Sequence, residues 1–137
     1  MSAEAIGWWG VPLAIAAGMM RGGTPFLFVS LGECLTEKSG KINLGLEGTL
    51  LTGAMSAYAV SYLTGSPWLG VLAAGFAGVL LGLIHGWLSQ QPRVNDVAVG
   101  IAMIIFGSGI AFFFGKPFIQ PSAPQLPTID LAGSSFA

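Results

Sequence analysis

Residues 68–88 read WLGVLAAGFAGVLLGLIHGWL, Trp68 to Leu88, an apolar run without a single Asp, Glu, Lys or Arg. A helix that crosses a bilayer needs about 20 mainly apolar residues. This run meets that length, and turn residues bound it: Thr64-Gly65-Ser66-Pro67 before it and Ser89-Gln90-Gln91-Pro92 after it. On either side two further stretches qualify, Leu44 to Leu63 and Val97 to Ile119, the latter loosened at its end by Gly115 and Pro117.

The whole composition agrees with these spans. Of 137 residues, 53% are hydrophobic and 8% charged, against about 25% charged in a typical soluble domain. Five basic and six acidic residues leave a net charge of −1, which excludes the basic footprint of a nucleic-acid binder. A disordered chain would need low hydrophobicity and high charge, and a soluble enzyme would need more charge to clothe its surface. The single cysteine, Cys34, excludes an intramolecular disulfide. The expected fold is all-α: a polytopic transmembrane bundle of about four to five membrane segments, one of them discontinuous near residues 36–48. Residues 1–119 form the membrane domain in this reading.

The ends of the chain read differently. Met1-Ser2-Ala3-Glu4 places an acid where a secretory signal needs Lys or Arg. Ile6 to Met20 is apolar but short, Arg21-Gly22-Gly23-Thr24-Pro25 interrupts it, and Phe26 to Leu35 is apolar again. One long broken helix and two short pieces both fit. Residues 120–137 carry Pro121, Pro124, Pro127 and Gly133-Ser134-Ser135 and read as a water-exposed external loop, cut before any closing element. Lys38 and Lys41 precede one span and Arg93 follows the next, so two spans separate these loops and both lie on one side. The positive-inside rule places that side in the cytoplasm, with Lys116 as an exception outside. Trp8, Trp9, Trp68 and Trp87 are expected at the membrane interfaces.

Small residues recur at four-residue spacing, as close helix packing in lipid requires. The run at 68–88 has Gly70, Ala74, Gly78, Gly82 and Gly86; the span before it has Gly45, Thr49, Gly53, Ala57 and Ser61; the span after it has Gly107, Ala111 and Gly115. Gly45, Gly53, Gly70, Gly78, Gly82 and Gly86 are the expected packing positions.

Ionisable groups in or beside a membrane are costly and point to function. Glu33, Glu37, Asn43 and Glu47 crowd one block, Gly32-Glu33-Cys34-Leu35-Thr36-Glu37-Lys38-Ser39-Gly40-Lys41-Ile42-Asn43-Leu44-Gly45-Leu46-Glu47-Gly48. A break between membrane segments there would expose polar groups to a solute pathway. The bland alternative is a cytoplasmic turn in which Asn43 caps the next helix, Glu47 complements its dipole and both lysines sit among headgroups. Asn95 and Asp96 before the last span pose the same choice, with capping favoured. His85 reads as a packing residue. Catalytic signatures are missing: Gly40-Lys41 and Gly115-Lys116 are followed by Ile42 and Pro117, so neither is a Walker A loop, and one His with one distant Cys makes no metal site.

Leu31-Gly32-Glu33, Thr36-Glu37-Lys38-Ser39-Gly40, Asn43-Leu44-Gly45-Leu46-Glu47-Gly48 and Gly53-Ala54 together resemble bacterial ABC transporter permeases. The branch is that of the simple-sugar and nucleoside permeases, within the group that holds ribose and branched-chain amino acid permeases. Thr24-Pro25-Phe26-Leu27, Thr64-Gly65-Ser66-Pro67-Trp68-Leu69-Gly70 and Arg93-Val94-Asn95-Asp96-Val97-Ala98-Val99-Gly100 extend the resemblance from Gly22 to Gly115. It implies the membrane channel of an inner-membrane importer of a sugar or nucleoside. Its implied partners are an extracytoplasmic solute-binding protein, a cytoplasmic ATP-binding subunit and a second permease subunit. The chain itself would bind no cofactor, ATP being used by the partner. Asn43 and Glu47, with Asn95 third, are the pathway residues the resemblance implies. Such permeases carry a second set of spans, so this chain is expected to be an N-terminal half. The alternatives are a small self-contained transporter or channel working as an oligomer, and a non-transporting fragment.

Overall fold

The computed structural model describes residues 10–119 and 122–127. Trp8 and Trp9, and the tail residues 120–121 and 128–137, lie outside the described residues. Four α-helices follow one another: α1 (Gly10–Lys38), α2 (Leu46–Thr64), α3 (Pro67–Ser89) and α4 (Asp96–Gly115), the last running into a 3-10 turn at Lys116–Phe118. The chain divides into two units, residues 33–126 and residues 1–32 with 127–137.

In the smaller unit the described structure is α1 up to residue 32. Arg21-Gly22-Gly23-Thr24-Pro25 does not break it: helix continues through Pro25. Pro25 has no N–H to give, so one backbone bond is lost. Thr24 and Ser30 turn their hydroxyls onto the carbonyls of Met20 and Phe26, at 2.6 and 2.8 Å, and so remain satisfied within the helix.

In the larger unit α2 lies between α3 and α4 and packs on both. At the α2–α4 contact, Cβ atoms added to Gly48 and Gly107 would collide with the carbonyls of Met103 and Gly48 respectively. A Cβ on Gly45 would lie 2.7 Å from Met103 Cβ, and one on Gly100 2.8 Å from Leu44 Cβ. Thr52, buried between them, donates to Gly48 O at 2.8 Å in its own helix and lies 3.1 Å from Gly107 O across the contact. At the α2–α3 contact a Cβ on Gly70 would come 2.6 Å from Ala57 O. The buried apolar residues are Leu81, Val99 and Met103, with Leu88 against them.

The expected packing positions therefore separate. Gly45 and Gly70 stand at close approaches, and Gly53 is in ordinary contact 3.8 Å from Ala74 O. At Gly78, Gly82 and Gly86 a Cβ would meet nothing within 4 Å, so none of the three stands at a close helix approach among the described residues. The reason is geometric: a strict four-residue spacing drifts around a helix of about 3.6 residues per turn, and the buried face of α3 runs from Gly70 to Leu81, His85 and Ser89, off the stripe.

Element ends follow from local chemistry. Gly65, at φ 68°, ends α2 in the left-handed region and donates its N–H to Ser61 O at 2.9 Å. Pro67 occupies the first turn of α3, where its missing N–H costs nothing. Gly40, at φ 78°, turns the chain after α1. Among the described residues three helices are long and apolar enough to cross a membrane: α1, α3, and α4 with its 3-10 turn. At 19 residues α2 has spanning length, about 28 Å, but Glu47, Thr49, Thr52, Ser56 and Ser61 make it more polar than its neighbours.

Candidate functional site

One end of the larger unit gathers its polar side chains, because the α1–α2 linker and the α3–α4 turn meet there. Lys41, in the linker, donates from Nζ to Ser89 O at 2.6 Å and lies 3.4 Å from Asp96 Oδ1. One cation thus meets a carbonyl at the C-terminus of α3 and a carboxylate in the first turn of α4. A helix C-terminus carries partial negative charge and unpaired carbonyls, so both acceptors suit an ammonium. The side chains are 40% and 20% exposed, so the tie is partly desolvated. The two loops that carry Lys41 and Arg93 accordingly share one end of the bundle.

The linker is pinned a second time by α1. Glu33 Oε1 accepts the N–H of Asn43 at 3.1 Å. Asn43 Oδ1 accepts the N–H of Gly45 at 3.0 Å, an Asx turn that feeds the chain into α2. Asn43 is therefore not the helix cap: Gly45 holds that position, without a side-chain cap bond. Asn95 is a cap, its Oδ1 accepting from the N–H groups of Val97 and Ala98 at 2.9 and 3.4 Å. Glu47 is exposed in the first turn of α2. Asn43, Glu47 and Asn95 thus lie at one end of the unit, the two asparagines engaged by backbone.

His85 and Ser89 are buried, 5% and 2% exposed, and His85 Nε2 lies 3.3 Å from Ser89 Oγ. They line a cavity of about 320 Å³ with Thr36, Ser39, Lys41, Gly86 and Gln90. Two buried side-chain atoms have no hydrogen-bond partner among the described residues: His85 Nδ1, at this cavity, and Glu33 Oε2, on α1. His85 is buried, as a packing residue would be; sequence reasoning missed its neighbour Ser89 and the partners of Lys41. The partners of Lys41 lie 48 and 55 residues away, a separation no local pattern reports. Lys41 is tied to Ser89 O and Asp96 in addition to the solvent and headgroup contacts the sequence suggests for it.

The opposite end holds a second groove, of about 390 Å³, lined by Ala54, Ala57, Tyr58 and Gly70 among others and crossed by residues 122–126. Ser61 Oγ donates to Pro124 O there, at 3.2 Å. No group of three or more His, Cys, Asp or Glu side chains able to hold a metal occurs among the described residues.

Spanning helices with no strand among the described residues, and close glycine contacts in the larger unit, define a multi-pass membrane protein. Residues 14–129 match the family described as the permease component of the branched-chain amino acid transport system, and the chain belongs to that family. Among curated relatives, a putative glucose ABC transporter permease protein of Haloferax volcanii is 33% identical over 119 residues, covering 84% of this chain and 36% of the relative. A guanosine ABC transporter permease protein of Bacillus subtilis is 30% identical over 131 residues, covering 82% and 41%. A nucleoside ABC transporter permease protein of Lactococcus lactis is 28% identical over 112 residues, covering 77% and 35%. The chain therefore spans less than half the length of these relatives. No solved structure matches it.

Proposed function

We propose that this chain acts as a membrane-spanning permease subunit of an ATP-driven importer whose solute is a simple sugar or a nucleoside. The observation that carries this reading is the family match over residues 14–129, joined to relatives named for glucose, guanosine and nucleosides. ATP is bound and hydrolysed on a separate cytoplasmic subunit, and this chain holds no cofactor. An extracytoplasmic binding protein delivers the solute, and a second permease subunit completes the pathway. The membrane is the bacterial cytoplasmic one, with the Lys41 and Arg93 loops on its inner side.

Within that reading Asn43, Glu47 and Asn95 border the pathway. Glu47 is the strongest of the three, because no hydrogen bond or ion pair occupies its carboxylate among the described residues, whereas both asparagine oxygens are engaged. Deleting the gene in its host and following labelled guanosine, glucose and isoleucine tests the function. Loss of guanosine or glucose uptake, restored by the gene and abolished by ATP depletion, is the expected result. Uptake by the purified chain in liposomes without ATP would instead establish a self-contained transporter.

A further inference from the structure

The cavity at the polar end is lined for hydrogen bonding. His85 is 5% exposed and Ser89 2%. Among the described residues the Ser89 hydroxyl meets no acceptor but His85 Nε2, at 3.3 Å. A buried hydroxyl hydrogen without an acceptor is costly, so the network assigns Ser89 as donor and Nε2 as acceptor. A neutral imidazole whose Nε2 accepts carries its hydrogen on Nδ1. That N–H is buried at the cavity and has no partner among the described residues, and buried polar atoms are nearly always paired. His85 thus offers the cavity one donor.

Lys41, Gln90 and Ser39 line the same space. An ammonium has three N–H groups; Ser89 O and Asp96 Oδ1 take two from Lys41 and leave one. The side-chain amide of Gln90 has no hydrogen bond among the described residues, and it brings both donors and an acceptor. Ser39 gives its hydroxyl hydrogen to Thr36 O at 2.6 Å and keeps lone pairs that accept. What the walls omit is equally selective. Among the described residues they include no carboxylate, no Leu, Ile, Val or Met, and no aromatic ring besides the imidazole, and their one cation is already paired with Asp96. A branched-chain amino acid would leave its ammonium and its apolar side chain unmatched there. A hydroxyl group matches, because it is neutral and both donates and accepts. The volume of about 320 Å³ lies at the lower end of the range of small-molecule sites, about 300–1,000 Å³.

We propose that this cavity is a subsite for the hydroxyl groups of a neutral sugar ring, either a free sugar or the ribose of a nucleoside. The proposal rests on the permease reading above and adds where on this chain the solute is held, at the end that carries the Lys41 and Arg93 loops. His85 Nδ1, the remaining Lys41 N–H and the Gln90 amide donate to ring hydroxyl oxygens. Ser39 Oγ and the Gln90 amide oxygen accept the hydroxyl hydrogens. A solute without those hydroxyls leaves the buried His85 N–H unpaired, which is what rejects it.

The test reads occupancy of the cavity by thiol protection in the full chain, in open membrane fragments, and needs no transport. A Cβ at Gly86 meets nothing within 4 Å, so Gly86→Cys puts a thiol at the cavity wall without displacing a neighbour. It is placed in a Cys34→Ser background and labelled with N-ethylmaleimide. Thr64→Cys, at the far turn, is the control. Ribose, glucose, uridine and isoleucine are each added at about 20 mM, above a weak millimolar affinity. At least one of the first three is expected to slow labelling at position 86 about threefold or more, with position 64 unaffected and isoleucine without effect. Protection by ribose and uridine marks a nucleoside site, and protection by glucose a hexose site. His85→Phe and, separately, Gln90→Leu are expected to raise the half-protecting concentration about fivefold, as loss of one hydrogen bond does. Gln90 is exposed, so its variant decides where His85→Phe fails to fold. Absence of protection by all three solutes overturns the subsite and leaves the permease reading to the uptake assay. Equal protection by isoleucine, equal protection at position 64, or parent-like half-protection in the folded variants overturns it as well.

Discussion

Gly48 is where a single carbon decides whether α2 and α4 can touch. A Cβ there meets the carbonyl of Met103, which is backbone and cannot swing aside. Gly48→Ala is therefore expected to destabilise the protein by about 1–3 kcal/mol, the cost of overpacking a tight contact. Gly82→Ala adds the same methyl group to open space and is expected to leave stability unchanged or raise it by up to about 1 kcal/mol, through helix propensity. Thermal melts of the detergent-solubilised protein, followed by size-exclusion peak height, separate the two. Equal melting of Gly48→Ala and the parent would remove the close contact from the account. Four-residue spacing picks out Gly82 and passes over Gly48, yet it is Gly48 that a neighbouring backbone approaches, since spacing marks a helix face and not where a neighbour comes close. Gly48 and Gly100 were not among the expected packing positions because neither lies on the four-residue stripes through Gly45 and Gly107.

At the scale of the element, helix existence was legible and helix continuity was not. A run such as Trp68–Leu88 has no other stable solution in lipid, where every backbone group must bond within its own segment. The run's expected bounds lie one residue inside the helix found, Pro67–Ser89. In α1 the cluster at Arg21–Pro25 carries every local break signal, yet helix persists. Losing one bond at Pro25 costs less than opening several backbone groups in an apolar setting. The start of α4 gives an element-scale prediction. Asn95→Ala removes the acceptor of two N–H groups and is expected to cost about 1 kcal/mol, while Asn95→Asp keeps the cap and costs little. The Lys41 tie gives another. Lys41→Met strips the C-terminal carbonyl of α3 and Asp96 of their cation, and a loss of about 1 kcal/mol is expected for a partly exposed tie. The same melts check both, and parent-like melting of Asn95→Ala or Lys41→Met would show the corresponding bonds to be idle.

At the scale of the whole molecule the question is which polar group serves the solute and which serves the fold. Asn43 closes a turn, and Asn95 caps a helix. Substitutions at either are expected to lower stability and uptake together. Glu47 is different. It is exposed at the start of α2 and has no partner among the described residues. A carboxylate kept there without a structural bond has one favourable interaction, with the positive end of the helix dipole, worth about 0.3–1 kcal/mol. Glu47→Gln preserves shape and hydrogen-bonding capacity while removing the charge. If Glu47 borders the pathway, this variant lowers uptake by about tenfold or more at an unchanged melting temperature. Asn43→Ala, by contrast, lowers uptake only as far as the loss of folded protein at the membrane accounts for. Uptake per folded molecule, measured in the host strain for both variants, distinguishes these outcomes. Parent-like uptake by Glu47→Gln would assign that carboxylate to the helix dipole alone and leave the pathway to other segments of the proposed importer.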